Sequence, residues 1–235
     1  MRMIVTLALA AAAYAQQFEV VSIKPADPNE HGSSGRTTPG TFEMHNTTLK
    51  TLVRAAYALN EYQLEGGPKW LDSERFNLVA KFPQAVPRDQ TLHMLQAMLA
   101  DRFHLEIHRV TKTLPEFALV IAKGGPKLQE ASGEDRDRQS SSQGDRMIKG
   151  RGMPVASLAE MLISAVGAPV VDRTGLTGKY TFSLAFAPLQ GTPRDDEPLP
   201  TIFTVLQEQL GLKLEAIKGP VQVVVIDRAE RPAEN

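Results

Sequence analysis

The sequence predicts an α+β fold of two homologous units, each with two helices packed on a mostly antiparallel sheet. Three observations carry that expectation. Segments with apolar residues at helical spacing alternate with segments of strand-like alternation. The order helix, strand, helix, hairpin occurs twice. Between the two occurrences lies "EASGEDRDRQSSSQGDR", Glu130 to Arg146, which has no apolar face and reads as a flexible linker.

The first residues read as an address. Met1, Arg2 and Met3 give a short positive start, Ile4 to Ala13 is an unbroken run of apolar and small residues, and Ala13-Tyr14-Ala15 offers the small-x-small pattern of a signal-peptidase site. The run is far shorter than the about 20 residues a membrane-spanning helix needs, so residues 1–15 are expected to be a cleaved signal peptide and Gln16 the mature N-terminus. The protein is thus expected in the periplasm or outside the cell, with no membrane span. It has no cysteine with which to use an oxidising compartment, so a packed core must stabilise it. Without Arg2 the chain carries 25 basic and 27 acidic residues, a balance that gives no basic stripe for nucleic acid.

The elements follow in order. "DPNEHGSSGRTTPG", Asp27 to Gly40, is a polar loop. "TLKTLVRAAYAL" puts Leu49, Leu52, Val53, Ala56 and Tyr57 on one helical face, and "SLAEMLISAVGA" repeats the interval with Leu158, Met161, Leu162, Ala165 and Val166. A glycine-bearing loop and an alternating strand follow each helix: Arg75 to Pro83 in one case, Lys179 to Pro188 in the other. Second helices come next, sharing Leu95-Gln96 with Leu206-Gln207 and Leu99 with Leu210. Each leads to a strand, a turn expected at Pro115 or Pro220, and a very apolar strand, "FALVIA" or "VQVVVI". "PLQGTPRDDEPLP", Pro188 to Pro200, is a further loop. The expected division is 16–129 for the first unit, 130–146 for the linker and 147–235 for the second unit.

One loop invites a sharper reading. "PVVDRTGLTGKYTFSLAF" resembles a phosphate-binding loop, but five residues before Gly178 stands Arg173 instead of glycine, and Tyr180 follows Lys179 where Ser or Thr is required. A strand follows, where a phosphate loop opens a helix whose amides face the anion. The loop is a turn.

Five blocks, "FEVVSIKP", "YQLEGGPKWLDSERFNLVAK", "MLADRFHLEIHRVTKTLPEFALVIAKGGPKL", "PVVDRTGLTGKYTFSL" and "PVQVVVIDRAERPAEN", resemble a large paralogous family of exported proteins, expanded in soil acidobacteria and described as a domain of unknown function. The resemblance implies secretion and a module also fused to membrane sensor-peptidases; it implies no catalytic residues. The helix–strand units are more weakly similar to the short N-terminal domains of secretins and TonB-dependent receptors, an analogy of pattern.

Candidate chemistry is thin. No Gly-x-Ser-x-Gly elbow is present. His104, Glu106 and His108 fall on one face of an expected strand, but alternate strand residues stand ~7 Å apart and the outer two about twice that, so a solvated polar face is the better reading than zinc. His31 and His45 flank a loop. Asp72, Glu74 and Asp172 supply carboxylates without a set separation, and Asp172 before Thr174-Gly175 reads as a turn former. Asp72 and Arg75 are expected to pair with each other or across the two halves. The contact surface is expected at Tyr62, Trp70, Leu71, Asp72 and Arg75, with Asp172 and Arg173 in the matching loop; the only tryptophan is either a lid on the core or a binding anchor. The strands "FEVVSI" and "VQVVVI" are expected to offer sheet edges. The leading expectation is an exported, non-catalytic module that binds an envelope or secreted protein or peptide, with no cofactor and no metal. A small-ligand binder with its site between the halves, and a hydrolase or hydrolase inhibitor, stand as alternatives.

Overall fold

A helix begins where Thr48 can cap it. In the computed structural model, which describes residues 17–83, 86–144, 146–189 and 199–232, the Thr48 hydroxyl accepts the Thr51 amide, and helix α1 (Leu49–Tyr57) buries Leu49, Leu52, Val53 and Ala56. The proposed signal peptide lies outside the described residues, as does most of the loop expected between Pro188 and Pro200. The described chain forms two compact units. The first holds the residues up to Arg109 together with those from Val224 onward; the second holds Val110–Val223.

In the first unit, β1 (Val20–Pro25), β2 (Ser34–Thr37), β3 (Thr41–Thr48) and β5 (Arg75–Lys81) make an antiparallel sheet in the order β1-β5-β3-β2. Alternation along β5 turns Phe76, Leu78 and Ala80 inward. Against them lie α1 and α2 (Arg88–Phe103), whose Met94, Leu95, Met98, Leu99 and Phe103 are buried. Gln96 Nε2 donates to the Ala56 carbonyl at 2.8 Å, satisfying a group the end of α1 leaves open. A short strand, β4 (Leu64–Gly66), pairs in parallel with Val224–Ile226 at the end of the long strand β12 (Leu212–Arg228). Gly66 has φ +78° and a Cβ there would stand 2.7 Å from the Ile226 carbonyl oxygen, so the close pairing requires glycine.

In the second unit, β7 (Gln129–Glu130), β8 (Ser140–Gly144), β9 (Met147–Pro154) and β11 (Lys179–Ala185) form an antiparallel sheet in the order β7-β11-β9-β8. A short helical turn, α3 (Glu134–Asp137), precedes β8. Helix α4 (Val155–Val166) and α5 (Ile202–Val205), the latter continued by a π-helical turn over Leu206–Leu210, cover the inward Tyr180, Phe182 and Leu184. β10 (Val170–Asp172) pairs in parallel with Phe117–Leu119 of β6 (Glu106–Ile121). The third sheet has the order β10-β6-β12-β4.

The fold class is α+β, and several expectations need correction. The turns at Pro115 and Pro220 do not occur: β6 and β12 run straight through them. Proline lacks only its own N–H, and the short neighbours β10 and β4 pair with other stretches, Phe117–Leu119 and Val224–Ile226, so neither proline breaks those ladders. The expected linker contains β8, whose backbone pairs with β9 while all its side chains are exposed; an edge strand with no buried face shows no alternation in sequence. The compact units divide at Arg109 and Val223. Of the two strands expected to be edges, β1 is one, and β12 lies between β6 and β4.

Candidate functional site

The first unit has a polar cavity of about 620 Å3 between the loop after β1 and the start of β5. Its lining includes Asp27, Glu30, His31, Ser33, Asn46, Ser73 and Arg75. Local chemistry shapes each wall. Asp27 Oδ1 accepts the Asn29 amide at 2.8 Å, an Asx turn that reverses the chain after Pro25. The Arg75 carbonyl accepts the Ala26 amide at 2.9 Å and ties that loop to β5.

Asn46 is the keystone. It sits in a β-bulge, where the β3–β5 register shifts between Met44 and Thr47, with φ +48°. Its backbone amide donates to Asn77 Oδ1 at 2.7 Å, and its Nδ2 donates to the carbonyls of Glu30 (2.9 Å) and Gly32 (2.6 Å). The side chain is 3% exposed, and Oδ1 is a buried acceptor with no partner among the described residues. Arg75 Nη1 donates to the Asn46 carbonyl at 2.8 Å. Glu30 Oε2 accepts from Asn77 Nδ2 at 3.3 Å. The guanidinium is thus oriented by a backbone carbonyl, and no carboxylate lies within ion-pair distance of it among the described residues.

The other residues singled out in sequence are dispersed. Trp70 is half-buried in a 3₁₀ turn (Lys69–Asp72), edge-on to Phe76 with ring centroids 6.4 Å apart. Its face carries the Arg231 guanidinium, 5.3 Å from the ring centroid. Arg231 Nε donates to both Glu74 oxygens at 3.1 and 2.9 Å, and this hydrogen-bonded guanidinium holds the Glu74 carboxyl below the usual carboxylate range. Leu71 is a core residue. Tyr62 is half-buried beside Asn60, whose Nδ2 lies 3.3 Å from its hydroxyl. Asp72 pairs with Lys50 at 3.0 Å, not with Arg75. In the second unit, Asp172 Oδ1 accepts the Thr174 amide and hydroxyl at 2.9 and 2.7 Å, the turn expected of it, while Arg173 is exposed and donates its amide to the Leu119 carbonyl.

The histidine stripe is corrected. His104 is not on a strand: it caps α2 with φ +46°, and β6 starts at Glu106. His108 Nδ1 lies 2.8 Å from Asp227. Among the described residues no three His, Asp or Glu side chains converge as metal ligands would. Of the cavity's polar set, sequence reasoning found Arg75 and noted His31, and it passed over Asn46 and Glu30. The positive φ that makes Asn46 useful has a weak sequence signature, since Asn in a strand reads only as a poor strand former.

Fold and site define an α+β protein with a polar, arginine-bearing cavity in its first unit and, among the described residues, no arrangement that by itself names a reaction. The chain belongs to a family described as a protein of unknown function (DUF3738), whose profile matches residues 50–229. No curated protein and no solved structure matches it.

Proposed function

We propose that the chain is an exported, non-catalytic binding module made of two homologous units, and that the cavity around Arg75 takes a peptide or small ligand of the cell envelope. The observation that carries the binding reading is the oriented guanidinium of Arg75 in a cavity of ligand-like size, inside the 300–1,000 Å3 that small-molecule sites occupy. The carboxylates weighed for acid–base work are each held in a structural role, Asp72 by Lys50, Glu74 by Arg231 and Asp172 by Thr174. That favours binding over catalysis.

The duplication is supported by strand order. β1-β5-β3-β2 and β7-β11-β9-β8 have the same plan when the chain is read in order from β1 and from β7. The helix after the second hairpin strand of each, α1 or α4, ends at a left-handed residue, Ala58 or Gly167, and leads to a three-residue strand in parallel pairing, β4 or β10.

The test is a heteronuclear NMR titration of residues 16–235 with fractions of the source cell's envelope and medium. Shifts gathered at Glu30, His31, Ser33, Asn46 and Arg75 are the expected result. Shifts confined to another surface, or chemical turnover of the component that binds, would refute the reading.

A further inference from the structure

We infer that the cavity recognises a small zwitterion bearing both an ammonium and a carboxylate group, of the size of an amino acid to a tripeptide. The inference rests on the binding reading above and specifies its ligand. Two kinds of charge line the same space. Arg75 spends one N–H on the Asn46 carbonyl and has no carboxylate partner among the described residues. Among the described residues, Asp27 and Glu30 accept from neutral groups, Asn29 and the Asn77 amide. Elsewhere in the unit the chain neutralises such charges directly, as with Arg231 on Glu74 and Lys50 on Asp72.

The alternatives fit less well. A simple anion would face two carboxylates and one guanidinium, so repulsion offsets its attraction to Arg75. A lone cation would meet the guanidinium, and the acidic and histidine side chains do not converge as a metal needs. A zwitterion presents a carboxylate to the planar donors of Arg75 and an ammonium to Asp27 or Glu30. Ser33, Ser73 and His31 line the same cavity and offer adaptable hydrogen-bonding groups. The volume exceeds the needs of a single phosphate and suits a short peptide with free termini.

The experiment is calorimetric titration of residues 16–235 with alanine, dialanine, trialanine, N-acetyl-dialanine, dialanine amide and inorganic phosphate, each to the order of 1 mM. At least one unblocked compound is expected to bind, and blocking either terminus to weaken it by about 10- to 100-fold. Arg75→Gln should abolish the preference for dialanine over its amide, and Glu30→Gln with Asp27→Asn the preference over the N-acetyl form. Circular dichroism confirms that each variant is folded, and the preferences, being ratios within one variant, are unaffected by a partial loss of folded protein. Phosphate or the N-acetyl compound binding as tightly as dialanine would overturn the zwitterion while leaving the cavity as a site. Silence from all six compounds would also overturn it, and the envelope titration then decides the broader reading separately. Tight binding of a peptide with NMR shifts away from Arg75 would overturn both.

Discussion

At the scale of single residues, the described first unit balances strain against hydrogen bonds. Asn46 tolerates a left-handed backbone because its short amide side chain bonds nearby carbonyls, here those of Glu30 and Gly32. Asn46→Ala loses both bonds and keeps the unfavourable φ, so it should cost roughly 2–4 kcal/mol in chemical denaturation. A loss below the scatter of surface substitutions would show that the loop holds itself. The Arg231–Glu74 pair offers a second check, because Trp70 beneath it is the only tryptophan of the chain and therefore the whole of its indole emission. Arg231→Ala should shift that emission to longer wavelength by opening the ring to water. Glu74 has its carboxyl pKa lowered, chiefly by the hydrogen bond from Arg231. Its stabilising contribution is therefore complete above the ordinary glutamate pKa of about 4.3 and is lost only as pH falls through the lowered folded value. Trp70 emission should stay constant on acidification from neutral pH to that range and change below it; a change centred near neutrality would point to another group.

At the scale of elements, buried faces explain most of what the sequence disclosed and hid. Leu49, Leu52, Val53 and Ala56 announced α1 by their spacing, and Phe76, Leu78 and Ala80 announced β5 by alternation, since each pattern is the imprint of one buried face. β8 was illegible because it buries no face, and β6 and β12 were read as broken because the penalty of a proline depends on which neighbour it deprives of a donor. The cavity was legible in Arg75 and, faintly, in His31: its other walls are a loop and a bulge, where side-chain identity matters less than backbone geometry. The same logic gives a prediction. The first-unit helices end in left-handed Ala58 and His104, positions where the second unit has Gly167 and Gly211. Ala58→Gly removes a Cβ penalty of about 1 kcal/mol and should raise the melting temperature by about 2–4 °C. No rise, or a fall, would mean that the unfolded-state entropy of glycine outweighs the relief.

At the scale of the whole molecule, each core takes residues from across the change in composition. The polar stretch 130–146 looks like a boundary, yet Val224 and Ile226, from the far end of the sequence, are buried in the core of the first unit, and Leu119, from before that stretch, is buried in the core of the second. Burying a valine, leucine or isoleucine contributes about 1.5–3 kcal/mol, and a domain keeps only about 5–15 kcal/mol in all. Losing Val224 and Ile226, together with the parallel partner of β4, therefore removes a large share of the first unit's margin. A fragment of residues 16–129 should lack a dispersed amide spectrum when expressed alone, and so should 147–235, which loses Phe117–Leu119, the partner of β10. Mixing 16–129 with a fragment of 130–235, which keeps β8 beside β9, should restore the spectrum of the intact protein, because the missing strands are supplied in trans. Should either fragment fold by itself, the composition break would be the true boundary, and the strands that β6 and β12 contribute to the two cores would be dispensable to them.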